Sequence, residues 1–200
     1  MKNSILAILA FAAVMSCEKK ETTVVKSSED STMIVKNNST MMDQNESATT
    51  TEMAKDMSAQ DKMFADEAAT GGMMEVKLGE YAAANGMNTN VKDLGKMMAS
   101  DHGKANDELK TWATAVGYTL PTEMTAEQKK MTDDLMKKKG ADIDKAYTSM
   151  MVDDHKKDIA AFKKQGSDGS MRSLRAFADK TVPTLEHHLM RSEEAMKMVK

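Results

Sequence analysis

Apolar residues recur every three or four positions along most of the chain beyond residue 57, the spacing of amphipathic helices. Phe64, Ala68, Gly71, Glu75, Leu78 and Ala82 trace one face of a first helix, from Ser58 to a stop at Asn85-Gly86. Ser58 with Asp61 forms an acidic variant of the capping box, which fixes the start. Glu75 interrupts the apolar stripe, and the pair Gly71-Gly72 suits close approach of a neighbouring helix. A second helix, from about Thr89 to Val116, lines up Leu94, Met98, His102, Ala105, Leu109, Trp112 and Val116. Gly117 to Pro121 is extended, because the residue before a proline is driven out of helical geometry. Thr125 and Gln128 cap a shorter helix that stops at Lys137-Lys138-Lys139-Gly140. A third long helix, about Ala141 to Gln165 with Gly166 as its stop, aligns Tyr147, Met151, His155, Ile159 and Phe162. The last begins near Ser167-Asp168 and turns Leu174, Phe177, Thr181, Leu185 and His188 inward. Four long helices and one short one, with mostly short connections, predict an all-α, up-down-up-down bundle.

One heptapeptide pattern occurs twice: Met98-Ala99-Ser100-Asp101-His102-Gly103-Lys104 and Met151-Val152-Asp153-Asp154-His155-Lys156-Lys157 both read M-x-x-D-H-x-K. Each copy puts its histidine on an apolar stripe. Every long helix thus offers one metal-capable residue near mid-length on its inner face: Glu75, His102, His155 and His188. Bundle-core sites are assembled in this way from facing helices. Three imidazoles and a carboxylate suit one transition-metal ion, and Zn, Fe, Mn, Ni and Cu all accept such a donor set. Asp101 and Asp154 lie one residue from their histidines and cannot share their face. They are placed to accept imidazole N–H groups from a neighbouring helix, or to pair with surface lysines. The alternative to a metal is a Glu–His hydrogen-bond network that fixes the register of a structural or stress-related protein. His187 and Glu186 point away from His188 and are expected in solvent. No nucleophile–base pair, phosphate loop or dinucleotide fingerprint occurs, and the carboxylate count is short for a dinuclear oxidoreductase centre.

The 22 methionines read first as flexible core fillers, with a thioether surface for a soft metal as the alternative. A 4% aromatic content with two prolines leaves little material for a sheet. The formal net charge of −3 provides no basic field, so nucleic acid is not an expected partner.

The single cysteine, Cys17, excludes an intramolecular disulfide. Lys2 gives a basic start, Ile5 to Val14 form an apolar run too short to span a bilayer, and Val14-Met15-Ser16-Cys17 follows. This resembles a lipoprotein signal peptide in which Cys17 is lipidated and becomes the mature N-terminus; a plain secretory signal is the alternative and leaves the lone Cys unexplained. The membrane, held through Cys17, is the expected partner. Glu18, rather than an aspartate, favours the outer membrane, with the domain on its periplasmic or outer side. Residues 18–57 are rich in Ser, Thr, Asn, Glu and Lys without period and are expected to be a disordered tether. The domain boundaries are therefore placed at 1–17, 18–57 and 58–200.

From about Asp61 to Met196 the chain resembles the bacterial ferritin-like domains of the family called domain of unknown function 4142. The resemblance is carried by Phe64, Gly71-Gly72-Met73-Met74-Glu75-Val76-Lys77-Leu78-Gly79 and Met98-x-x-Asp101-His102 with Asn106 and Leu109. It continues through Gly117-x-x-Leu120-Pro121, Tyr147-x-x-Met150 with Asp154-His155, and Phe177-Ala178-x-x-x-Val182-Pro183-x-Leu185-x-x-His188. It implies a ferritin-like bundle in an envelope or secreted protein and carries no activity of its own. Di-iron ferritins place a Glu three residues before a His on two helices. Here position 99 is Ala and position 152 is Val, so ferroxidase chemistry is not implied.

Overall fold

A computed structural model describes residues 52–199, and Cys17 and most of the expected tether lie outside the described residues. Among the described residues the chain is all helical, with α1 (Ala59–Asn85), α2 (Thr89–Val116), α3 (Ala126–Met136), α4 (Ala141–Asp168) and α5 (Arg172–Met198), and no strand. None of these helices is long and apolar enough to cross a membrane.

The helix starts follow the local chemistry read from the sequence. The Ser58 hydroxyl accepts from the Asp61 N–H at 3.1 Å, and the Asp61 carboxylate accepts the Ser58 N–H at 2.9 Å. Thr125 and Gln128 make the same reciprocal pair at the head of α3, at 3.2 and 2.9 Å. Gly117, at φ 74°, closes α2 in the left-handed conformation that glycine adopts without strain.

The ends of the last two helices differ from expectation. α4 runs through Gly166 to Asp168 and is closed by Gly169, whose N–H reaches the Gln165 carbonyl at 3.0 Å. α5 starts at Arg172 rather than near Ser167. Gly166 is glycine for another reason: a Cβ there would fall on the Asp179 carboxylate of α5. Of the pair Gly71-Gly72, Gly71 meets nothing, and Gly72 meets only the Asn106 side chain. The close backbone approach of α1 and α2 occurs instead at Gly79 and Gly95, where a Cβ on either would strike the other's carbonyl at 2.7 or 2.5 Å.

The connectivity also differs. Asp144, near the start of α4, accepts the N–H groups of Met87 and Asn88 in the α1–α2 turn, at 3.0 and 2.7 Å. Gln165, near its end, donates to Asp61 at the start of α1, at 2.6 Å. α4 therefore runs antiparallel to α1 and parallel to α2. The order is up-down-down-up rather than up-down-up-down. The segment between α2 and α4 carries α3 back along the bundle, with Gln128 bonded to Thr70 at 3.3 Å and the Tyr81 hydroxyl to the Met136 carbonyl at 2.9 Å. Hydrophobic periodicity states which face of a helix is inside, not which way the next helix runs, so both connectivities satisfied the pattern.

The folded part reaches back past Ser58. Met57 is buried, and the Glu52 carboxylate accepts the N–H groups of Arg172 and Ser173 at 2.6 and 2.9 Å. It thereby supplies the acceptors that α5 lacks at its own N-cap, Met171.

The core falls into two apolar clusters. One end is aromatic, built on Phe64, Leu109, Leu174 and Phe177 with Phe162 and Trp112 packed on it. The other is aliphatic and thioether-rich, built on Met74, Leu78, Leu94, Met98, Tyr147 and Met151. Methionine serves both inside and out: Met74, Met98 and Met151 are core residues, whereas Met63, Met87 and Met198 are exposed. Between the two clusters lies a polar layer.

Candidate metal centre

That layer contains all four residues singled out from the stripes. Glu75 from α1, His102 from α2, His155 from α4 and His188 from α5 are 2%, 7%, 0% and 0% exposed. The imidazoles converge: His155 Nε2 stands 3.4 Å from His102 Nε2 and 3.2 Å from His188 Nδ1. Each offers a ring nitrogen into a common space in which these atoms lie within 4.8 Å of one another.

The other nitrogen of each ring is held by an acceptor outside that space. His102 Nδ1 donates to Glu75 Oε2 at 2.9 Å. His155 Nδ1 donates to the Met151 carbonyl one turn earlier, at 3.0 Å. His188 Nε2 donates to Asp101 Oδ2 at 3.3 Å. A neutral imidazole carries one N–H, so these outward bonds assign it and leave a lone pair on each inward nitrogen. Glu75 thus sits behind His102, with one oxygen committed to the ring.

The two heptapeptides, alike in sequence, have unlike surroundings. Asp101 is half-exposed, pairs with Lys104 at 2.9 Å and holds His188, as its spacing suggested. Asp154 holds no imidazole: it lies 3.8 Å from Lys157, and its Oδ2 is buried without a partner. Burial opposes protonation of His102, but the Glu75 charge and hydrogen bond outweigh it and raise this imidazole above its ordinary value. Burial dominates at His155, which is lowered, and at His188, which is brought down to about 4. Burial also opposes the Glu75 charge, but His102 outweighs it and leaves the carboxyl below its ordinary value.

A fifth residue of the layer escaped the sequence reading. Asp158 lies with Glu75 and His155 in a second cluster whose ligand atoms are within 4.8 Å of one another. Burial, then the charge of Glu75, push its carboxyl up to about 9. The signal was present: Asp158 follows His155 by three residues and so shares its helix face, whereas Ala105 holds the same place after His102. The di-iron pattern places its carboxylate three residues before a histidine, whereas this one follows. His187 and Glu186 are exposed, as expected.

The model of the family described as Domain of unknown function (DUF4142) matches residues 46–195. No curated protein and no solved structure matches the chain.

Proposed function

Because the chain belongs to the DUF4142 family, whose description assigns no activity, we propose its function from the site: it binds one transition-metal ion through His102, His155 and His188. The observation that carries this reading is the convergence of three imidazole nitrogens whose outer nitrogens are all bonded elsewhere. A single proton bridges only one of the two inward contacts, and the other leaves two lone pairs face to face. One metal ion accepts all three. Tetrahedral coordination with metal–nitrogen bonds of 2.0–2.1 Å sets ligand nitrogens about 3.3 Å apart, and the two contacts measure 3.4 and 3.2 Å. Glu75, Asp101 and the Met151 carbonyl orient the rings from behind, the role such outer acceptors have at histidine metal sites. Three protein ligands leave a fourth position open.

The single crossover between α2 and α4 supports a ferritin-like reading of the bundle, since ferritin-like folds use one long crossover connection. The centre differs in its chemistry, being rich in imidazole and not in carboxylate. The amino-terminal pattern supports an envelope lipoprotein anchored through Cys17, with the bundle on a tether at the outer membrane.

Elemental analysis of the purified full chain tests the metal reading. Near-stoichiometric metal is expected in the wild type and its loss in both His102→Ala and His155→Ala. Added metal should also raise the melting temperature of the wild type alone, since an ion that binds only the folded state stabilises it. A folded wild-type chain that neither holds nor responds to any first-row metal would instead establish the metal-free Glu–His network. For the anchor, the Cys17→Ser chain should leave the membrane fraction; equal retention with the wild type would refute lipidation.

A further inference from the structure

Beside the three-histidine cluster the bundle contains a cavity of about 60 Å³, walled by Phe64, Phe162 and Phe177, with Glu75, His102 and Asp158 on its polar side. Glu75 is 2% exposed, and its Oε1 receives no hydrogen bond. The nearest imidazole nitrogen to that oxygen is His155 Nδ1, 3.5 Å away and already bonded to the Met151 carbonyl. Asp158 shares a ligand cluster with Glu75 and His155, and no lysine or arginine lines the cavity. Two carboxyl groups have thus been brought together in a largely apolar pocket with no basic side chain beside them, so that either a proton shared between them or a bound cation compensates the charge of Glu75.

We propose that Glu75 Oε1 and Asp158 form a second cation site, distinct from the three-histidine site, that takes a hard divalent ion. The two sites meet at Glu75, whose Oε2 supports His102 while its Oε1 is left without a hydrogen bond. The donor sets differ in kind. Three imidazoles suit zinc, copper, nickel or iron, whereas two carboxylates with water suit manganese, magnesium or calcium. His155 Nδ1 is occupied by the Met151 carbonyl, so the protein supplies oxygen alone. The cavity of about 60 Å³ has room for about two waters, and a hard ion bound by one or two carboxylates keeps waters in its shell. The first site is lined by nitrogen and the second by oxygen. The inference goes beyond the three-histidine reading and rests on different donor atoms.

The test is a titration of the full chain with Mn²⁺ after addition of one equivalent of Zn²⁺, followed by the loss of the free Mn²⁺ resonance signal. One bound Mn²⁺ is expected in the wild type, with affinity reduced tenfold or more in Asp158→Asn. His187→Ala, at an exposed imidazole outside the layer, should still bind Mn²⁺. Melting curves establish that both variants are folded. Wild-type Mn²⁺ binding that is unchanged in Asp158→Asn, or its absence from a Zn²⁺-loaded wild type, would overturn the second site and leave the first standing. Mn²⁺ binding lost in Asp158→Asn, in a chain that takes no Zn²⁺, would establish the second site and refute the first.

Discussion

Asp61 and Glu75 are both buried carboxylates on α1, and their surroundings are opposite. Asp61, at the end of the bundle, is ringed by donors: the Ser58 N–H at 2.9 Å and hydroxyl at 2.7 Å, the Gln165 amide at 2.6 Å and the Ser170 N–H at 3.1 Å, with the Ser170 hydroxyl in addition. Burial opposes its ionisation, but hydrogen bonds from Ser170, Gln165 and Ser58 outweigh that and hold the carboxyl at about 2. Glu75, in the middle, has one donor on one oxygen and none on the other. A carboxylate enclosed by donors is finished structure. One with half its lone pairs unused, beside a second carboxylate, retains capacity to bind. The end of the bundle is therefore read as a lock and the middle as a site.

The largest break in this contrast is Asp61→Ala. It leaves the buried Gln165 amide and the Ser170 N–H without their acceptor, at a cost of about 1–3 kcal/mol for each group, or a melting temperature about 10 °C lower. A drop below about 2 °C by circular dichroism would mean that the lock holds nothing. Glu75→Gln should behave otherwise. The glutamine oxygen still accepts from His102 while the charge facing Asp158 disappears, so the metal-free melting temperature should move by less than about 3 °C. Affinity for Zn²⁺, measured by competition with a chelating dye, should fall about 10–100-fold. A destabilisation equal to that of Asp61→Ala would erase the distinction between lock and site.

The smallest effect sharpens the comparison at Asp154, whose Oδ2 also lacks a partner. Burial, followed by the Glu75 charge, pushes its carboxyl up to about 6, against about 3.9 in an unfolded chain. The folded state therefore holds this proton more tightly, and the stabilising contribution is complete below about pH 4 and lost as pH rises through about 6. Asp154→Asn, which never ionises, should be about 1–2 kcal/mol more stable than the wild type at about pH 7.5 and level with it at about pH 4. Urea titrations at both values read the difference. A gain of equal size at both would place its origin elsewhere.

How far the sequence carried the reading depended on the range of the interaction concerned. Ser58, Thr125 and Gln128 announce helix starts because a cap bonds its own neighbours, and the structure has those starts. His102, His155, His188 and Glu75 were legible because helical phase places a residue inside without reference to its partner. Gly166 misled, because its role is set by Asp179 on another helix. Asp61 read only as a cap, since Gln165 and Ser170 reach it from across more than a hundred residues. The crossover of α3 and the place of Asp158 beside Glu75 are likewise relations between helices, on which periodicity is silent.

The short turns make α1 with α2, and α4 with α5, two hairpins of largely local contacts, which close quickly during folding. The crossover joins them late, at the entropic cost of a longer loop. Glu75 and His102 belong to the first hairpin, and His155, Asp158 and His188 to the second. Neither hairpin alone carries all three imidazoles of the layer, and Glu75 and Asp158 are divided between them as well. An ion in this layer would rivet two independently formed halves, and any force that slides one hairpin against the other would dismantle the cage and let its cargo go.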